Sequence, residues 1–333
     1  LKILLVLIAI LMGIGVLLFI WTSVQVLKIE DRFPPAGQFS GIDGERTHFV
    51  DLSPDQPVER PPIVFIHGAS GNLNDQLTPF APVMGDRARL IFVDRPGHGY
   101  SERGSAENPA QQAERYKLLL DDLEIEKAVL VGHSLGAASI AAFGVLYPER
   151  TAGLVFVAPA THSWPTGVSW YYDLAATPLL GSLFTETLLV PLGQQSLESG
   201  SKSVFAPQLP PENYVNDAAI SLVLRPGYFR HSARDVANLN EFVKEFSSRY
   251  GEITAPSIVL TGDKDDVVLP AIHSVGLERD VKGAKLIVLP GIGHKPEYAA
   301  TQAVIDAIDS VSGSKVAVLD QPLQPLPPLQ PPD

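Results

Sequence analysis

Three short stretches hold residue types that can do chemistry together. Gly132-His133-Ser134-Leu135-Gly136 follows an apolar run, Ala128–Val131, and opens an amphipathic stretch. This is the Gly-x-Ser-x-Gly pattern, in which small neighbours let a tight strand-to-helix turn lift a serine above a sheet. A serine hydroxyl is a weak nucleophile until a base takes its proton, and the base needs an acid to orient it. Past the apolar run ending at Leu260 comes Thr261-Gly262-Asp263-Lys264-Asp265-Asp266, and past the run ending at Leu289 comes Pro290-Gly291-Ile292-Gly293-His294. The order is therefore Ser134, an Asp near 265, then His294. Alone, the five-residue pattern also describes an ordinary turn, and the acidic run also describes a solvated loop.

Those residues need elements to position them. Ile63–Ile66, Leu90–Val93, Ala128–Val131, Leu154–Val157, Ser257–Leu260 and Leu286–Leu289 are short, bounded by turn residues and apolar at successive positions. Such runs predict strands covered on both faces, as in a parallel sheet. Ala110–Leu123, Leu135–Tyr147, Ala271–Val281 and Glu297–Val311 predict helices between them; Leu135, Ala138, Ala142 and Leu146 recur at helical spacing. Thr47–Leu52 is expected to add an antiparallel edge strand. The alternation predicts an α/β, doubly wound fold, with sites at the carboxyl ends of its strands. About 95 residues separate Pro159 from Ser257, where a crossover helix needs only about a dozen. The excess, rich in aromatic, Pro and Gly residues, predicts an inserted helical cap.

The four motifs together are what identify the chain as resembling the α/β-hydrolase fold superfamily, in its capped, serine-nucleophile form. They are His67-Gly68-Ala69-Ser70, Asp94-Arg95-Pro96-Gly97-His98-Gly99-Tyr100-Ser101, Gly132–Gly136, and Gly262-Asp263-Lys264-Asp265 with Gly293-His294. The resemblance covers about residues 45–312 and implies Ser134 as nucleophile, His294 as general base and acid, and Asp265 as the orienting acid. Asp263 and Asp266 are the neighbours that compete for this last role. The position after the preceding strand, Ala158-Pro159-Ala160-Thr161, holds no carboxylate. The resemblance further implies an oxyanion hole made by the backbone N–H groups of Ala69 and Leu135.

His67 and His98 are expected to structure loops, His133 to pack, and His162, at the cap entrance, to take a surface role. The remaining histidines, His48, His231 and His273, show no metal-ligand spacing, and no Gly-rich phosphate loop follows a strand. The expectation is no metal and no cofactor.

The serine nucleophile disfavours the relatives that use Asp at this turn, the dehalogenases and epoxide hydrolases. Ester, thioester or lactone hydrolysis remains, with carbon–carbon hydrolysis of ring-cleavage products and a non-catalytic ligand-binding receptor as alternatives. The cap aromatics, Trp164, Trp170, Tyr171, Tyr172, Phe184 and Tyr214, suit a small apolar substrate.

Composition sets the outer limits. The 333 residues carry a net charge of −12, with no cysteine. That balance argues against nucleic-acid binding, which needs Lys and Arg against phosphates, and zero Cys excludes disulfides and thiolate chemistry. Ile3–Leu27 is a run of 25 uncharged residues, long enough as a helix for a hydrocarbon core of about 30 Å. It is long for a signal peptide, and no Ala-x-Ala-like site follows, so an uncleaved anchor is expected rather than a leader or core helix. The default orientation puts the N-terminus inside and the catalytic part on the non-cytoplasmic side. The organisation expected is an anchor over 1–29, a linker over 30–44, a core over 45–159 and 254–312, a cap over 160–253 and a Pro-rich flexible tail over 313–333. Protein partners are left open.

Overall fold

The computed structural model describes residues 1–41, 44–56 and 58–313; of the Pro-rich tail, all but Gly313 lies outside the described residues. Eight strands form one sheet: β1 (Gln38–Ser40), β2 (Thr47–Leu52), β3 (Ile63–Ile66), β4 (Leu90–Val93), β5 (Ala128–His133), β6 (Thr151–Val157), β7 (Ser257–Gly262) and β8 (Lys285–Leu289). Their order is β1-β2-β4-β3-β5-β6-β7-β8. The pairs β1/β2 and β2/β4 are antiparallel and the rest parallel.

The helices are α1 (Lys2–Arg32), α2 (Asn74–Met84), α3 (Pro109–Asp122), α4 (Leu135–Leu146), α5 (Trp170–Ala176), α6 (Pro178–Thr187), α7 (Leu189–Phe205), α8 (Tyr214–Asp217), α9 (Pro226–Phe246), α10 (Pro270–Asp280), α11 (Pro296–Ala299) and α12 (Thr301–Val311). The continuous apolar runs are explained by the two layers they meet. Val64, Ile66, Leu130 and Phe156 face a cluster completed by α3 and α4. Their alternate neighbours Ile63, Phe65, Val129 and Val155 face one completed by α2 and α12. Phe65 stacks on Phe80 and Phe92 at 4.8 and 4.7 Å between centroids.

Between β6 and β7 the chain forms α5 to α9, with their own apolar cluster around Val190, Leu222, Tyr228 and Ala233. These helices lie over the strand ends where β5 turns into α4. α9 is fastened below by buried charge. Arg95, in the loop after β4, pairs with Asp235 of α9, as does Arg103, and Arg95 also donates to Gly68 O at 3.2 Å.

Three expectations need correction. Thr47–Leu52 is not the sheet edge, because the three-residue β1 pairs outside it; Gln-Phe-Ser is too short to show a period. Glu297–Val311 is not one helix. Ala300 (φ −143°, ψ 45°) separates α11 from α12, while Glu297 of α11 is fully buried against the Lys295 ammonium at 2.9 Å. α1 continues to Arg32, past the expected end of the apolar segment.

Candidate active site

Ser134 sits at the turn between β5 and α4 with φ 53° and ψ −119°. This is a strained backbone for a residue with a Cβ, and it persists because its surroundings determine it. Ser134 N–H donates to Val157 O at 2.9 Å and Ser134 O accepts from Ala160 N–H at 3.1 Å, which clamps the turn onto β6 and its following loop. The flanking glycines are steric requirements. A Cβ on Gly132 would stand 2.8 Å from Gly136 O, and one on Gly136 would stand 2.6 Å from His67 O.

The structure brings Ser134, His294 and Asp265 together. His294 Nε2 lies 3.1 Å from Ser134 Oγ, and His294 Nδ1 lies 2.8 Å from Asp265 Oδ2. A carboxylate only accepts, so Nδ1–H donates to Asp265 and Nε2 is left to accept from the serine hydroxyl. Asp265 Oδ1 in turn accepts from Val267 N–H and Val268 N–H, both at 2.9 Å, and its side chain is buried. The competing carboxylates are elsewhere. Asp263 Oδ1 accepts from Gly291 N–H at 2.6 Å, bracing the loop that carries His294, and Asp266 is exposed.

Ala69 follows β3 and lines the same cavity as Ser134; a Cβ on Gly68 would lie 3.0 Å from the Ser134 Cβ, so this backbone passes against Ser134. Leu135 is the first residue of α4, whose opening N–H groups have no carbonyl partner within the helix. The next residue of the β3 loop is held by the cap. Ser70 N–H donates to Ser232 Oγ at 3.0 Å, and Ser70 Oγ lies 3.0 Å from the Tyr172 hydroxyl.

The histidines divide by partner. His67 Nδ1–H donates to Gly68 O at 2.8 Å and Nε2 accepts from Arg95 N–H at 3.0 Å, so it structures the loop. Burial and the nearby Arg95 push its pKa down to about 4. His98 Nδ1 contacts Pro96 O at 3.1 Å. His133 Nε2–H donates to His294 O at 3.0 Å, steadying the residue it neighbours, and burial with Lys295 holds it well below the usual imidazole range. His162 corrects the expectation of a surface role: it is buried, with Nε2 3.1 Å from Asp280 of α10 and its ring packed over Gly276.

One polar cluster beside Ser134 had no sequence signal, because Asp75, Tyr214 and the neighbours Lys295 and Glu297 come from three distant segments of the chain. Lys295, directly after His294, donates to Asp75 Oδ2 at 2.7 Å and sits 2.9 Å from Glu297 Oε1, while Tyr214 OH donates to Asp75 Oδ1 at 2.9 Å. Burial opposes charge on Lys295, but the two carboxylates hold its pKa above the ordinary lysine value. Asp75, His133 and Glu297 place donor atoms within 4.8 Å of one another, a spacing that suits a metal ion. The Lys295 ammonium bridges two of the three, supplying the positive charge such an ion would bring.

The chemistry opens on a cavity of about 550 Å³. Ser134, His294 and Lys295 lie at one side, and Tyr171, Tyr172, Phe184, Leu189 and Val223 form apolar walls.

A nucleophile elbow, a histidine–carboxylate pair after later strands and a helical insertion over the strand ends define one class of protein. Residues 61–296 match the alpha/beta hydrolase fold family, and the chain belongs to it. It is 27% identical over 278 residues to a dihydrolipoyllysine-residue acetyltransferase component of the acetoin cleaving system from Pseudomonas putida, covering 81% of this chain and 67% of the relative. It is 26% identical over 275 residues to a 2-hydroxy-6-oxononadienedioate/2-hydroxy-6-oxononatrienedioate hydrolase from Comamonas testosteroni, covering 79% and 90%. A thermophilic esterase from Thermogutta terrifontis has the same fold, with TM-score 0.63, 19% identity and coverage of 82% and 97%. The chain is a hydrolase of this fold.

Proposed function

We propose that the protein is a membrane-anchored serine hydrolase that cleaves a carboxylic ester, or a related acyl bond, of a small apolar substrate. The observation that carries this reading is the contact chain from Ser134 Oγ to His294 Nε2 (3.1 Å) and from His294 Nδ1 to Asp265 (2.8 Å), facing an apolar cavity. In it Ser134 Oγ attacks the acyl carbon as its proton passes to His294 Nε2. Asp265 stabilises the imidazolium, and the N–H groups of Ala69 and Leu135 hold the oxyanion. The alcohol leaves with the proton from His294. Water then gives a proton to His294 and attacks the acyl-serine, and His294 returns that proton to Ser134 Oγ as the acid leaves, so ester and water become acid and alcohol. Residues 1–29 serve as the anchor, 45–159 and 254–312 as the catalytic core and 160–253 as the cap. α1 is long and apolar enough to cross a bilayer; the N-terminus stays inside and the catalytic part lies on the non-cytoplasmic side.

The test is turnover of a p-nitrophenyl ester chain-length series by the purified full chain, with a serine-reactive phosphonate. Turnover and labelling are expected, and Ser134→Ala abolishes labelling. Folded protein that neither turns over any ester nor labels at Ser134 overturns the reading. Protease access to residues 30–60 in sealed vesicles decides the side of the membrane. The Comamonas testosteroni relative favours a second reading, carbon–carbon hydrolysis of ring-cleavage dienoates. A higher kcat/KM for such a dienoate than for any simple ester selects it.

A further inference from the structure

α1 does not stand apart from the rest of the molecule. Thr22 and Ile29 are buried and Gly15, Leu18, Gln25 and Val26 partly buried, a three-and-four spacing that marks one helix face, while residues 1–14 are exposed throughout. That face lies along α6 and also touches α7 and the Ile220–Leu224 turn. Val26 and Ile29 join the cap's own apolar cluster with Leu189 and Leu222. The contacts change character at the helix end. Glu30 lies 3.5 Å from Arg225, and Arg32 donates to Asn216 Oδ1 at 2.7 Å. The stretch in contact with the cap, Gly15–Ile29, with Lys28 its one charged residue, is about 21 Å of helix, and a hydrocarbon core is about 30 Å thick. If α1 crosses a bilayer, the element packed on that stretch lies at lipid depth.

The surface of that element is unusual for water. Leu179, Leu180 and Leu183 of α6 are 85%, 62% and 62% exposed, and Trp170 of α5 and Leu192 of α7 are 68% and 54% exposed. No charged side chain occurs from Leu174 to Thr185 or from Thr187 to Leu197. Contiguous apolar patches of this kind mark a partner surface, and here the patch continues the apolar face of the anchor. Trp170, Phe184, Leu189 and Leu192 also line the cavity that contains Ser134, so the helices at the patch frame the route to the nucleophile.

We infer that α6 and the start of α7 seat in the lipid interface beside α1, and that the cavity takes an acyl ester directly from the bilayer. This rests on the anchored-hydrolase reading and adds to it the source of the substrate and the surface that meets lipid. A chain-length preference follows, because an ester that partitions into lipid is concentrated at the cavity mouth.

The absence of cysteine makes single-site labelling direct. The full chain carrying Leu183→Cys, Leu11→Cys or Lys285→Cys is labelled with a fluorophore and reconstituted in phosphatidylcholine vesicles containing nitroxide-labelled lipid. Leu11 lies in the exposed half of α1 and Lys285 is exposed at the start of β8. The expected result is quenching at positions 11 and 183 and none at 285. Quenching at 11 without quenching at 183 leaves the anchor standing and overturns the inference. No quenching at either removes the anchor and the inference together. A disulfide-linked dimer through position 183 also overturns it, because a second copy then covers the patch. In the kinetic arm, Leu179→Lys with Leu183→Lys, neither in the cavity wall, lowers kcat/KM on a vesicle-borne long-chain ester about tenfold or more and leaves a soluble short ester within about twofold. An equal effect on both esters overturns the inference; retained short-ester turnover shows that the variant folds.

Discussion

At the scale of single residues, the site separates three neighbouring carboxylates by their partners. Asp265 alone of the three faces the imidazole, with two backbone N–H groups on its other oxygen. Asp265→Asn is expected to lower kcat by about three to four orders of magnitude with little effect on folding, because it favours the wrong tautomer of His294. His294→Ala is expected to cost several orders of magnitude, since nucleophile and base act as a unit. Asp263→Asn weakens only the brace to Gly291 and should cost far less. Steady-state kinetics of the variants on one ester checks the ranking, and equal losses at 263 and 265 would remove Asp265 from its role.

At the scale of elements, the turns around the site are held by buried charge as much as by apolar packing. Lys295 joins the start of α11 to Asp75 of α2, and three aromatic rings, Phe205, Tyr214 and Tyr298, surround its ammonium at 5.3 to 5.8 Å. Lys295→Met leaves two buried carboxylates without their cation, at a cost of about 3–5 kcal/mol. Adding Glu297→Gln should recover part of that loss. Thermal midpoints of the single and double variants test the coupling, and a double variant no better than the single contradicts it. The cap is joined to the loop after β3 through Ser70, which meets Tyr172 of α5 and Ser232 of α9. Tyr172→Phe should therefore lower kcat more than it lowers the thermal midpoint, a split that a purely structural role would not produce. Arg95 reaches both Asp235 of α9 and Gly68, so the same loop is tied to the cap from a second side.

At the scale of the whole molecule, buried neutral histidines make stability depend on pH. Burial and Arg95 push His67 from 6.5 to about 4, and burial with His162 pushes His273 to about 3. Between the unfolded and folded values the unfolded chain holds more protons, so stability rises with pH. The contribution is complete above about 6.5 and is lost as pH falls through that window, at up to about 1.4 kcal/mol per pH unit for each group. The thermal midpoint should drop steadily from pH 7 to pH 4.5, and His273→Gln should flatten that drop. A midpoint independent of pH over this range rules the linkage out. The exposed leucines of α6, a helix that packs against α1, belong to the same scale.

Much of this was legible without coordinates because its cause is local. Gly132 and Gly136 are required by steric limits at one turn, and a strand covered on both faces must be apolar at successive positions, as Ile63–Ile66 is. The order of Ser134, Asp265 and His294 follows from strands that run parallel and end on one side. What depended on distant chain segments was silent. Nothing near Asp75 announces Lys295, nothing in Gln38–Ser40 announces an edge strand, and His162 looks like a surface residue until α10 covers it. By itself the sequence determined the sheet, the elbow and a helix able to cross a bilayer. Only the tertiary structure decided which aspartate faces His294 and which ammonium balances Asp75 and Glu297. It also decided that α6 packs along α1, because each of these depends on a separation in space that no spacing along the chain encodes.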